Sequence, residues 1–90
     1  MILETDVPIA QARMMRVLQM IIMLTKQKWA VHQIAYKLDT DTRTIYRYIV
    51  LLRELGFEIT KEPPSLGKRS TFQIITWPEE LIGIKNKVNV

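Results

Sequence analysis

The stretch Asp41-Thr42-Arg43-Thr44-Ile45-Tyr46-Arg47-Tyr48-Ile49-Val50-Leu51-Leu52-Arg53-Glu54-Leu55-Gly56 decides how the chain is read. Its apolar residues Ile45, Tyr48, Ile49, Leu52 and Leu55 recur at three- and four-residue steps, which a helix stacks on one side. Arg43, Tyr46, Arg47 and Val50 fall on the other side. Asp41 is suited to open the helix, because its carboxylate accepts from the unpartnered N–H groups of the first turn. Gly56 is suited to close it, since Gly enters the left-handed region without steric penalty. One amphipathic helix is therefore predicted here, and its wet face holds Arg and Tyr in place of a Glu/Lys mixture. Such a face suits a DNA major groove.

Upstream, Met14, Val17, Leu18, Ile21, Ile22 and Leu24 recur at helical spacing from about Ile9 to Lys26. This first helix looks apolar over more than one face, so part of it is expected to meet a second subunit. Its methionines read as filler for core and interface. Lys26 to Trp29 is read as a short connection, and Val31 to Leu38 as a compact second helix with Ile34, Ala35 and Leu38 inward. Asp39-Thr40 turns the chain into the long helix. Two helices joined by so few residues form a helix-turn-helix pattern.

Downstream the period changes to two. Phe57-Glu58-Ile59-Thr60-Lys61 alternates as a half-buried strand does, and Ser70 to Trp77 resumes that pattern. Pro63-Pro64-Ser65-Leu66-Gly67-Lys68-Arg69 between them is a loop by composition. Pro78 ends the sheet, and Glu79 to Ile82 is read as the start of a short terminal helix. The predicted fold class is mainly α with a small β-hairpin, a three-helix winged helix-turn-helix. One domain spans 1–90, with a core of about 11–77, an N-terminal arm at 1–10 and a C-terminal tail at 78–90.

Ninety residues with 48% hydrophobic content suffice for one core and argue against disorder. With no cysteine there is no disulfide, thiolate metal site or cysteine nucleophile. Glu4 and Asp6 sit where a signal peptide needs basic residues, and Met20 to Leu24 is too short an apolar run to span a bilayer. No membrane association is expected, and the cytoplasm is the expected compartment. The net charge of +4 says less than its distribution. From Lys26 to Arg53 there are six basic residues against Asp39 and Asp41, and most lack an acidic partner four residues away.

From Trp29 to Gly56 the chain resembles the small DNA-binding heads of DeoR-type repressors and of regulators carrying a WYL domain. The residues carrying the resemblance are Ile34-Ala35, Leu38, Asp41, then Arg43-Thr44-Ile45-Tyr46-Arg47-Tyr48-Ile49, with Leu52 or Leu55 and Gly56. Tyr48 stands where those heads usually carry Asp, Ala30 where Ser or Thr caps the second helix, and Thr40 where the turn has a small apolar residue. The similarity runs over roughly 13–76 and implies a winged helix that binds double-stranded DNA. No small-molecule sensing domain follows the wing, so the chain reads as a minimal DNA binder or as the head of a larger protein.

The residues expected at DNA are Lys28, Lys37, Thr42, Arg43, Thr44, Tyr46, Arg47, Lys68 and Arg69. Arg43 and Arg47 lie one turn apart, where a guanidinium fork matches guanine O6 and N7; the plainer reading is phosphate or solvent. Thr42 and Thr44 in the first turn face a phosphate, or are ordinary first-turn polar residues. Tyr46 donates to a phosphate, or its ring packs on the wing. Lys68 and Arg69 reach a minor groove or backbone from the wing, or simply protect a hairpin edge. Lys28 and Lys37 hold the DNA backbone or are solvated. Tyr48 is read as core, Trp29 and Trp77 as packing, and His32 as a polar residue near the start of the second helix. One histidine without cysteine makes no metal site, and no nucleophile set or phosphate loop is present, so neither catalysis nor a cofactor is expected.

The function read from the sequence is sequence-specific DNA binding by a small transcriptional regulator, expected as a homodimer on paired half-sites. Two alternatives remain: a winged helix serving as a protein-interaction module, and a phage or mobile-element DNA accessory protein. The first helix, the Met1–Ala10 arm and the Leu81-Ile82-Ile84 segment are all open as the dimer contact.

Overall fold

Asp41 and Gly56 bound the long helix as their chemistry requires. In the computed structural model, which describes residues 9–81, the Asp41 Oδ1 accepts from the Thr44 N–H at 2.7 Å. Gly56 takes φ +109°, its N–H donating to the Arg53 carbonyl and that of Phe57 to the Leu52 carbonyl, a Schellman ending. In chain order the elements are α1 (Ile9–Lys26), β1 (Trp29–Ala30), α2 (Val31–Lys37), α3 (Thr42–Leu55), β2 (Glu58–Glu62) and β3 (Thr71–Thr76). Helices plus a small antiparallel sheet in this order make a winged helix-turn-helix.

The turn between α2 and α3 uses the same device with a different residue. Asp39 occupies the left-handed position at φ +54°. Its N–H donates to the Tyr36 carbonyl and that of Thr40 to the Ala35 carbonyl. Asp tolerates this conformation better than most L residues, which lets the second helix stop and the third begin within four residues. Ala30 offers α2 no side-chain acceptor, but Gln33 reaches back and accepts from the Ala30 N–H at 3.0 Å.

The core lies where the three helices meet the inner face of the sheet. Met20, Leu24, Ile34, Ile45 and Leu52 are fully enclosed there, joined by Phe57, Ile59, Phe72 and Ile74. The sheet order is β1-β3-β2, antiparallel throughout, with Ile59 opposite Ile74 and Lys61 opposite Phe72. Trp29, the last residue of the predicted connection, forms with Ala30 a two-residue strand paired with Phe72 and Thr71. Two residues are too few to display a period, so only the partner strand reveals it. The Trp29 indole N–H donates to the Met23 carbonyl at 3.1 Å, and the Trp77 indole N–H to the Thr25 hydroxyl at 3.1 Å. Trp77 lies just beyond β3 and packs on Phe57, ring centroids 5.6 Å apart.

Four side chains assigned to apolar faces need correction. Leu55 is exposed, because α3 has outrun the core in its last turn. In α1 the buried residues are Met20 and Leu24, with Val17, Ile21 and Met23 packed beside them; Leu18 and Ile22, like Met14, face outward. Residues 9 and 10 are already helical, as are Glu79–Leu81. Expectations for residues 1–8 and for Ile82 and Ile84 lie outside the described residues.

Candidate nucleic-acid interface

The exposed face of α3 carries Thr42, Arg43, Tyr46 and Arg47. Burial of Ile45, Tyr48, Ile49 and Leu52 sets the rotation of the helix, so helical spacing forces Arg43 and Arg47 outward together. Among the described residues the one ion pair is Lys28–Glu62, so neither Arg43 nor Arg47 is tied to a carboxylate there. Both still act on Asp41. Hydrogen bonds from Thr44, side chain before backbone, hold the Asp41 carboxyl below its ordinary value, and the Arg47 and Arg43 cations lower it further. The helix thus opens with an ionised cap beside two cations.

Beside that face, three parts of the chain converge on a cleft of about 370 Å³. Val31 and His32 come from the start of α2, Thr42 and Tyr46 from the start of α3, and Pro64, Arg69 and Ser70 from the wing. The cleft is lined by two hydroxyls, an imidazole, a phenol and a guanidinium, groups that hydrogen-bond phosphate oxygens or base edges. The Tyr46 ring meets Phe72 of β3 edge-on, centroids 6.3 Å apart, so the packing reading of Tyr46 is present in the fold. This contact anchors α3 to the wing at the level of the cleft.

The wing ends in a tight turn, Ser65-Leu66-Gly67-Lys68, closed by backbone hydrogen bonds between Ser65 and Lys68. Gly67 takes φ +73°, the conformation that favours Gly at the third position of a type II turn. At its apex Leu66 is wholly exposed, at 101%. An apolar residue inside a polar loop carries no periodic signal, so nothing local marks Leu66. The place of His32 in the cleft depends on the wing folding back to α2, which no local pattern shows.

The remaining candidates fall into different surroundings. The Thr44 N–H is already donated to Asp41, so it is not free for a phosphate. Lys28 is bound to Glu62 of β2, which pulls the Glu62 carboxyl below its ordinary value, with Lys68 adding a smaller field. Lys37 lies away from the cleft, on a shallow groove along α2 with Trp29, His32, Gln33 and Tyr36. Arg53 donates to the Ile59 carbonyl at 2.9 Å and ties the end of α3 to β2. The fold therefore brings Thr42, Tyr46 and Arg69 together, sets Arg43 and Arg47 beside them on α3, and leaves Lys28 and Lys37 apart.

A model of the HTH domain family matches residues 13–67, more than half of the chain. That span runs from α1 through the helix-turn-helix into the wing turn. No curated protein and no solved structure matches the chain.

Proposed function

The chain belongs to the HTH domain family of DNA-binding helix-turn-helix domains, and from that membership we propose that it is a small transcriptional regulator reading double-stranded DNA with α3 in the major groove. Arg43 and Arg47 are the base-reading pair. Thr42, with His32, Tyr46 and Arg69 around the cleft, holds the phosphate backbone at the groove edge. The wing brings Lys68 and Leu66 to the neighbouring minor groove, a cation for its negative potential and an apolar side chain for its floor. Lys37 acts at most as a peripheral backbone contact, and Lys28 must leave Glu62 to reach DNA.

The observation that carries this reading is the outward pair Arg43 and Arg47, with no carboxylate partner among the described residues, beside the cleft joining α2, α3 and the wing. Affinity of this kind is mostly electrostatic and falls with salt. The test is fluorescence-anisotropy binding to random-sequence duplex DNA across a salt titration. On random-sequence DNA, with no cognate base to read, Arg43 and Arg47 rest on phosphates; neutralising about five phosphates gives a log–log slope of about −4 to −5, and the paired change Arg43→Ala/Arg47→Ala lowers its magnitude by about 2. No binding at low salt by the folded chain would favour the protein-interaction reading.

A further inference from the structure

The first half of α1 has almost no support from the rest of the described chain. None of residues 9–16 is buried, although the helix runs without a break to Lys26. Its first turn has no acidic residue to offset the helix dipole. Short helices without tertiary contacts are marginal in water, so a partner surface is called for.

The outward face of α1 has the chemistry of an interface. Met14, Met15, Leu18 and Ile22 are exposed at 63%, 55%, 50% and 55%. Helical spacing sets them, with Gln11, on one side, while Arg13 and Arg16 fall on the other. This solvent-facing stripe carries no charge along its centre, the reverse of an ordinary surface helix.

We propose that two copies of this chain pair through these faces of α1, antiparallel about a twofold axis near Leu18, with Met14 of each copy against Ile22 of the other. An uncharged stripe can pair with itself without opposing like charges, as an isologous contact requires. The area also matches. Four half-exposed aliphatic side chains present on the order of 400 Å² per copy, and a small specific interface of about 600 Å² per partner is about 60% apolar. The methionines can adapt to a copy of themselves. The sheet edge is a poorer choice: β2 paired antiparallel with itself about Thr60 would set Glu58 of each copy opposite Glu62 of the other.

This inference stands on α1 and not on the DNA reading. A monomer that binds DNA overturns the pairing alone, and a dimer that ignores DNA overturns the regulator alone. The chain has no cysteine, so single-cysteine variants report cleanly. Under mild oxidation, Leu18→Cys should form a disulfide-linked dimer about tenfold faster than Tyr36→Cys, a fully exposed position on α2, because pairing raises the local thiol concentration. Sedimentation of the full chain at about 50 μM should give twice the single-chain mass, an affinity within reach of a small interface, and Leu18→Glu should restore the single-chain mass with its helical circular dichroism intact. Equal cross-linking at the two positions, or single-chain mass for the unaltered protein, overturns the proposal. The latter would also be seen if a terminal segment of the same chain covered α1.

Discussion

The two ends of α3 share one buried face and differ in most of what they show to water. The first two turns expose Thr42, Arg43, Tyr46 and Arg47, and the last two expose Val50, Leu51 and Leu55 beside Arg53 and Glu54. At the first end an ionised Asp41 caps the helix; at the second, Gly56 ends it against Pro78, and Arg53 is given over to the Ile59 carbonyl. Leu51 and Leu55 line an apolar groove with Val17 of α1. A single amphipathic pattern thus carries two surfaces of different chemistry, cations and hydroxyls at one end and mainly aliphatic side chains at the other. The wet face of a helix has to be read in halves.

The strongest way to break this contrast is to remove the floor both ends share. Leu52→Ala empties a fully enclosed site and should lower stability by about 2–5 kcal/mol, measured as the urea midpoint, with both ends losing order together. Next comes Arg43→Ala, which should weaken a selected DNA site by about 1–3 kcal/mol and shift stability by no more than about 0.5 kcal/mol. Leu51→Gln on the other half should leave DNA affinity unchanged; equal losses from the two would erase the distinction. Gly56→Ala should destabilise the fold by about 1–2 kcal/mol, since an added Cβ meets Pro78 at 3.3 Å and φ is +109°. DNA affinity of the folded protein should then be unaltered.

The smallest effect concerns acid. The Asp41 carboxyl is held below its ordinary value of 3.8 in the folded chain, so its contribution is complete at pH values above 3.8 and is lost as pH falls through the lower folded value. Asp41→Asn keeps a capping acceptor without the charge and should flatten that part of the acid-unfolding curve. An unchanged curve would mean that the cap does not titrate with unfolding.

Legibility followed the range of the interactions. The bounds of α3 were readable because its cap, period and left-handed Gly are signals within one segment. So was the hairpin, from alternation on both sides of a Pro- and Gly-containing loop. The corresponding ending of α2 was harder, because Asp39 fills a position where Gly is the usual mark. In α1 the apolar residues were visible, but periodicity alone could not divide them between core and surface. Met14, Leu18 and Ile22 were grouped with Val17, Ile21 and Leu24, and only packing separated them.

The candidate site divides the same way. Arg43 and Arg47 on one exposed face follow from 3.6 residues per turn once Ile45, Ile49 and Leu52 are buried. The meeting of His32, Tyr46 and Arg69, the contact of Tyr46 with Phe72, and the pairing of Lys28 with Glu62 involve residues far apart in the chain. The sequence by itself determined the helices, their order, the turn chemistry and the basic face of α3, because these depend on neighbours within a few residues. Tertiary structure alone decided the short strand at Trp29–Ala30, the pairing of Lys28 with Glu62, and which side of α1 packs on the core, because these depend on how distant segments meet around one small core.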